Sequence, residues 1–392
     1  MIETLKQDPR VLRALALARG SDERTLADQE ALTSIPAPPF GEDARGRAMA
    51  RMLVEAGVDS VHVDEAGNVL ALLDGRRDAP PVVLAAHLDT VFPPETDVTV
   101  RRTGNVLRAP GISDDGRGLA VILAVARCCA EAGVVPRTPV LLAATVGEEG
   151  LGDLRGVKYL FGPAGAAHDA AGFISVDGAG LTRIVVRGVG SRRFRIHARG
   201  PGGHSWVDWG APNPIHTLGS VVAGLVALPL PANPRTTLTV ARWSGGTAIN
   251  AIPRSADVEV DTRSESESHL RDLEARVRAV VRTLAEEERA RGDGGVTLEV
   301  EPIGARPCGT TPEHAPLVRT AVEATRSVGA EPTLAVSSTD ANIPMSRGIP
   351  AVAIGGGGEA GKAHTPEEWY RNVRGPEGVM RALLTVLATA GT

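Results

Sequence analysis

Cysteine is scarce: the 392-residue chain has three, two of them adjacent at Cys128 and Cys129. So few thiols make a poor disulfide framework, and a reducing cytoplasm is the simpler expectation. Lysine is nearly absent. Only Lys6, Lys158 and Lys362 accompany an otherwise arginine basic complement, a bias that carries no information on substrate. No apolar run reaches the roughly 20 residues that a membrane span needs. The opening stretch, MIETLKQDPRVLRALALARG, lacks the basic start and unbroken apolar core of a secretion signal. A net charge of −5 removes the electrostatic case for nucleic acid. No HExxH zinc helix, P-loop or nucleophile elbow is present, which removes those catalytic classes.

What is present suits globular cores. Hydrophobic residues make up 43% of the chain, and its length suits roughly two to three domains. Residues 23–34 and 43–56 read as amphipathic helices, and SVHVDEAGNVLALL as a hairpin. PVVLAAHLDT, TPVLLAATVGEE and AAGFISVDGAG are continuous apolar strands separated by helices. That pattern belongs to an α/β fold, a mostly parallel sheet covered by helices on both faces. Near residue 187 the style changes to period-two strands and amphipathic helices in the order βαββαβ, then reverts after about residue 303. The chain therefore reads as an α/β domain, residues 1–186 and 303–392, interrupted by an inserted α+β domain, 187–302.

Ligands in open α/β sheets gather beyond the carboxyl ends of the strands. His87, Asp89, Glu148, Glu149 and Asp177 all lie where the apolar strands run out. His87 and Asp89 are two apart on a strand and share a face, so the acid can fix the imidazole tautomer. Asp114 and Asp115 sit side by side in GISDDGRG, directly ahead of an apolar helix. A capped helix accounts for one such acid, but not for the acids converging at neighbouring strand ends. A centre of two divalent ions does. His87, Asp114 and Asp177 would hold one ion, and Asp114, Glu149 and His364 the other. Asp114 then bridges, and a bridging hydroxide brings the core to neutrality. Oxygen and imidazole donors without thiolate suit Zn²⁺ and accept Mn²⁺ or Co²⁺. Glu148, next to a ligand yet not one itself, is placed to act as general base.

AAHLDTV, GISDDGRG, TVGEEG, SVDG and KAHTPEE, in that order, resemble the M20 family of co-catalytic metallopeptidases and amidohydrolases. Each motif is weak alone; the ordered set is specific and spans nearly the whole chain. The resemblance implies that Asp114 bridges the ions and that the Asp114–Asp115 peptide bond is cis. It implies that the inserted domain is a lid through which the chain forms a homodimer. Within it His204, in GPGGHSW, would reach the partner's site and stabilise the oxyanion, while Asn250 and Arg263 would hold substrate. Asp340, in STDAN, would orient other groups near the site. The family commonly has Lys after the paired acids; here Gly116 and Arg117 follow. Its terminal carboxylate on the first ion tends to be Asp in aminopeptidases and dipeptidases, and Glu in carpoxypeptidases and deacylases. Asp177 thus leans towards short peptides with a free amino end, with N-acyl amino acids the competing substrate class.

Gly356, in IGGGG, either admits substrate close to the backbone or belongs to a plain turn. His62, His168, His197, His216, His269 and His314 show no acidic or metal-spaced companions in sequence and read as structural or solvated. A non-catalytic scaffold would be expected to lose ligands or the base, and none is missing. A two-metal phosphate-ester hydrolase is the remaining reading, though the single anion clamp, Arg263, suits a carboxylate better than a polyphosphate.

Overall fold

Val82–His87 and Val140–Thr145 are buried at every position. Only a strand covered on both faces can be apolar throughout, which is why these segments lack alternation. The computed structural model describes residues 2–76, 78–290 and 295–392. Its larger unit comprises Met1–Gly188 and Gly309–Thr392, and its inserted unit Val189–Cys308. The insert thus begins and ends a few residues later than the change of sequence style at 187 and 303. The strand Arg183–Gly188 completes itself first, and the last strand of the insert runs on to Arg306.

In the larger unit the strands are β1 (Ser60–Val63), β2 (Val69–Leu73), β3 (Val82–His87), β4 (Val140–Thr145), β5 (Gly172–Val176) and β6 (Arg183–Gly188). The insert supplies β7 (Gly190–Arg199), β8 (Thr236–Gly245), β9 (Ser255–Ser264) and β10 (Thr297–Arg306). The chain then returns with β11 (Gly309–Thr310), β12 (Thr333–Ser337) and β13 (Ala351–Ile354). The large sheet runs β1-β2-β4-β3-β5-β13-β6-β11, with β12 also paired to β6. Its centre, β4-β3-β5-β13, is parallel, so those four strands end at one edge of the sheet.

The helix Gly116–Ala132 is buried along nearly its whole length. Asp115 caps it by accepting from the Gly118 amide at 3.0 Å, and Gly133 ends it in the left-handed region at φ 66°. That helix fixes where the Asp114 loop meets the sheet edge. A small antiparallel sheet joins Arg101–Thr103, Val106–Arg108, Glu359–Gly361 and Trp369–Arg371. Residues 362–368 are the loop between its last two strands.

In the inserted unit the four-stranded antiparallel sheet runs β8-β9-β7-β10. Helices Pro214–Val226 and Glu267–Ala290 supply Leu218, Leu225, Leu273 and Val277 to a core with Phe194, Ile196 and Val258. The opposite face carries charge in register: Arg193 opposite Asp261, Arg195 opposite Glu259 and His197 opposite Asp257. His197 therefore does have acidic companions. Its ring lies 2.5 Å from Asp257 Oδ1 and 3.0 Å from Glu301 Oε2, partners that are remote in sequence and brought alongside by the sheet.

Candidate metal centre

His87 is the last residue of β3, Glu148 and Glu149 follow β4, and Asp177 follows β5. Because those strands are parallel neighbours, the four side chains collect at one sheet edge. Asp114 enters from the loop ahead of Gly116–Ala132 and His364 from the hairpin loop 362–368.

The Asp114 carboxylate lies between two imidazoles. Its Oδ1 is 3.0 Å from His87 Nε2 and its Oδ2 is 3.1 Å from His364 Nε2. His364 Nε2 is also 2.9 Å from Glu149 Oε1. Donor atoms of His87, Asp114 and Glu149 lie within 4.8 Å of one another. His87 Nδ1 is 2.9 Å from the main-chain carbonyl of Asp89 and donates to it, which turns the lone pair of a neutral ring at Nε2 towards Asp114. A lone pair facing a carboxylate requires a proton or a cation between them. Two donors held at about 2.0–2.1 Å by one tetrahedral ion lie about 3.3 Å apart. The spacings here, 2.9–3.1 Å, lie just inside that edge, so a small outward shift of these donors would admit divalent ions.

The electrostatics agree. Burial raises the Asp114 carboxyl, but hydrogen bonds from His364 and His87 outweigh it and hold it below the usual carboxylate range. Burial lowers His87, yet the Asp114 hydrogen bond and the charges of Asp115, Asp114 and Asp89 drive it well above 6.5. Asp114 and then Glu149 raise His364 to about 10. Asp177 is pushed up to about 6, by burial first and then by the charge of Asp114. These carboxylates crowd a site that favours positive charge.

The chain matches the profile of peptidase family M20/M25/M40 over residues 83–390. It belongs to this family. Over 59% of its length it is 27% identical to a protein of Emericella nidulans named "Probable carboxypeptidase", of which the match spans 60%. Its fold is similar to that of the aminopeptidase PepT of Bacillus cereus, at TM-score 0.69 and 22% identity, over 94% of this chain and 97% of that one. It is also similar to YxeP of Bacillus subtilis, described as a dinuclear metal-binding peptidase of family M20. There the TM-score is 0.67 and the identity 17%, over 95% of this chain and 98% of that one.

In this M20 chain the acidic pair divides its work. Asp114 faces the histidines, while Asp115 caps the helix and accepts from the His87 amide at 3.1 Å. The bond between them is cis. Asp89 differs from the sequence expectation, since its carboxylate is 3.7 Å from His87 Nδ1 and the carbonyl of the same residue orients the ring. The carboxylate accepts instead from the amides of Glu148 at 2.9 Å and Glu149 at 2.7 Å. It anchors the loop that presents both glutamates. Glu148 is buried beside Glu149. Asp340 is buried and accepts from the Thr145 hydroxyl at 2.5 Å, at the end of β4.

Arg117, which follows the paired acids, is fully buried. It donates to the carbonyls of Gly356 at 2.8 Å and Gly375 at 2.7 Å, and stacks over the Tyr370 ring. Gly356 is buried too, and its amide donates to the Gly178 carbonyl at 2.7 Å. A Cβ there would come within 2.9 Å of the Arg117 side chain, so the glycine permits a close approach of protein to protein. Arg381 donates to the carbonyls of Gly355 and Leu181.

Arg45 escaped the sequence reading. It is fully buried and donates to the carbonyls of Leu88 at 2.7 Å and of Ile35 at 2.6 Å. Leu88 separates His87 from Asp89, so this guanidinium fixes the strand end that carries both. Burial lowers Arg45 to about 10 against the charges of Asp89 and Asp115. The sequence held one signal: Arg45, Met49 and Leu53 fall four apart on one buried helix face.

In the inserted unit Gly203–His204 pairs with Ala251–Ile252, which brings His204 beside Asn250. His204 Nδ1 accepts from the amides of Trp206 at 3.2 Å and Val207 at 3.3 Å. Asn213, not His204, caps the next helix. Arg263 lies towards the far end of β9, opposite Ser191, with its Nε 2.6 Å from Asp261 Oδ2. The eight steps from Ser255 to Arg263 span about 27 Å at roughly 3.4 Å per residue. Trp206 and Trp209 are 84% and 85% exposed beside His204, so neither packs in a core.

Proposed function

We propose that this chain is a two-metal hydrolase that cleaves amide bonds of short peptides, acting as an aminopeptidase or dipeptidase. His87, Asp114 and Asp177 would hold one divalent ion, and Asp114, Glu149 and His364 the other, with Zn²⁺ best suited and Mn²⁺ or Co²⁺ accepted. The observation that carries this reading is the Asp114 carboxylate, which turns one oxygen to each of two imidazoles. When bound, such ions polarise the scissile carbonyl and lower the pKa of water towards neutrality.

The side chains supply the remainder. Glu148 takes the proton from the attacking water and passes it to the leaving amine. Asp89 holds the Glu148 and Glu149 amides, and so sets where both carboxylates stand. His204 donates a hydrogen bond to the oxyanion, and Asn250 and Arg263 bind the substrate's polar groups. A homodimer joined through the inserted unit completes this reading. His204 then serves the partner's site. Gly356 has a supporting place in this scheme, its close packing on Arg117 holding the loop after β13. Among the described residues no helix is long and apolar enough to cross a membrane. The three cysteines are free thiols, in keeping with a reducing cytoplasm.

Asp177 as the terminal ligand favours a free amino end. The name of the Emericella nidulans relative favours carboxypeptidase action, and an N-acyl amino acid deacylase would use the same ions. A screen of metal-reconstituted protein against dipeptides, tripeptides, N-blocked peptides and N-acetyl amino acids separates them. Cleavage confined to free-amine substrates is the expected result. Turnover only of N-blocked substrates overturns the aminopeptidase assignment.

A further inference from the structure

The hairpin that carries His364 also carries a buried carboxylate with no place in the scheme above. Glu368 is fully buried, four residues after His364 in the same loop. Its Oε1 accepts from the Ser113 amide at 2.9 Å, the Ser113 hydroxyl at 2.6 Å and the Asp114 amide at 3.0 Å. Its Oε2 accepts from the Gly111 amide at 2.9 Å. All these donors belong to one segment, Gly111–Asp114. The Glu368 carbonyl accepts from the Ala109 amide at 3.2 Å, so main chain and side chain hold the same stretch.

Asp114 and His364 both project from loops, and neither lies within a strand or helix. His364 is half exposed and in the left-handed region at φ 65°, where a non-glycine residue needs support from its surroundings. A carboxylate taken out of water must be matched by donors, and the geometry is fixed where every donor comes from one short segment.

We propose that Glu368 is a positioning residue of the metal centre. It wraps the Gly111–Asp114 segment around one anchored side chain and so sets the bridging Asp114 carboxylate against His364. The inference rests on the two-ion reading. A glutamate that merely stabilised the fold would leave ion affinity untouched in folded protein; a positioning residue would not.

Metal-stripped protein, shown to be folded by circular dichroism, is titrated calorimetrically with Zn²⁺ alone and, in parallel, with Co²⁺, whose visible spectrum reports ligand geometry. Wild type should take up two ions per chain, and a wild type that takes up none removes the two-ion reading itself. In Glu368→Gln the amide group turns a donor towards the Gly111 amide or the Ser113 cluster. Affinity should then fall about 10–100-fold at both sites, because Asp114 serves both. His364→Ala should weaken one site only. Ser113→Ala, which removes one donor and keeps the carboxylate, should weaken both sites by a smaller factor. Folded Glu368→Gln with wild-type affinity and Co²⁺ spectrum overturns the proposal. If Glu368→Gln does not fold, unchanged affinity in Ser113→Ala overturns it.

Discussion

In the larger unit Arg45, Arg117 and Arg381 are fully buried and donate to main-chain carbonyls around the metal centre. In the inserted unit Arg193 and Arg195 meet acids across neighbouring strands on an open sheet face. The residue types are the same and the physics differs. A buried guanidinium has lost its water, so each carbonyl it holds becomes a fixed point, and its removal leaves those carbonyls unmatched. A part-buried pair on a sheet face keeps some of its water and exchanges the rest for a partner at little net gain. Buried arginines therefore specify loop geometry, whereas the surface ladder keeps a sheet face polar.

Six substitutions test that contrast. The largest effect should come from the base that the buried framework presents. Glu148→Gln should keep its ions while kcat falls about 10²–10⁴-fold, because only proton transfer is lost. Glu149→Gln should lose ion affinity first. Metal analysis alongside steady-state kinetics distinguishes the two, and near-normal turnover in metal-replete Glu148→Gln would reject the role.

His204→Ala tests the catalytic function assigned to the inserted unit, with an expected loss of about 10²–10³ in kcat. Mixed dimers of His204→Ala and Glu148→Gln subunits should regain one working site from two inactive parents. If His204 acts within its own subunit, no activity returns.

Arg45→Leu should destabilise the larger unit by about 3 kcal/mol or more, since it orphans the Leu88 and Ile35 carbonyls. Arg195→Ala should cost about 1 kcal/mol or less. Urea unfolding measures both, and equal costs would break the comparison.

The smallest effect concerns His197. The Glu301 hydrogen bond, opposed by burial and reinforced by Asp257, raises its pKa above 6.5. A raised folded pKa contributes stability that is fully present below the unfolded value and lost as pH rises through the folded one. Glu299 also lies opposite His197, and Arg195 and Arg199 flank it on the same face of β7. The stability advantage of wild type over His197→Gln should therefore be largest in mild acid and shrink as pH rises. An advantage that grows with pH would reverse the assignment.

The sheet, its interruption and the convergence of His87, Asp114, Glu149 and His364 were legible because each has a local signature. Apolar strands end abruptly in polar residues, and a period of two replaces continuous burial at the insert. Long-range partnership left no such mark. Glu368 reads as the second glutamate of TPEEW, and its donors lie more than 250 residues earlier. Arg117 stood out only as a departure from the usual lysine, because the carbonyls it grips are more than 230 residues away. Asp89 was sound as a neighbour of His87, but nothing local says that its carbonyl would serve the ring and its carboxylate the next loop. His197 was set aside for the same reason, its acids lying on two other strands.

The ladder on the inserted sheet has a further consequence, for how its strands find their alignment. A one-residue slip would turn Phe194 and Ile196 out of the core and is excluded by hydrophobicity. A two-residue slip is not: Arg193 would then oppose Glu259 and Arg195 would oppose Asp257, with inside and outside preserved. Charge alternation alone cannot tell these alignments apart. The irregularities do so for the two outer strands. Between Val240 and Arg242, and again between Pro302 and Gly304, one strand carries an extra residue against its neighbour. Ala241 and Ile303 act as index marks, since a shifted strand would set each bulge against regular pairing. Two residues that belong to no ion pair thus mark the alignment of the outer strands, β8 against β9 and β10 against β7.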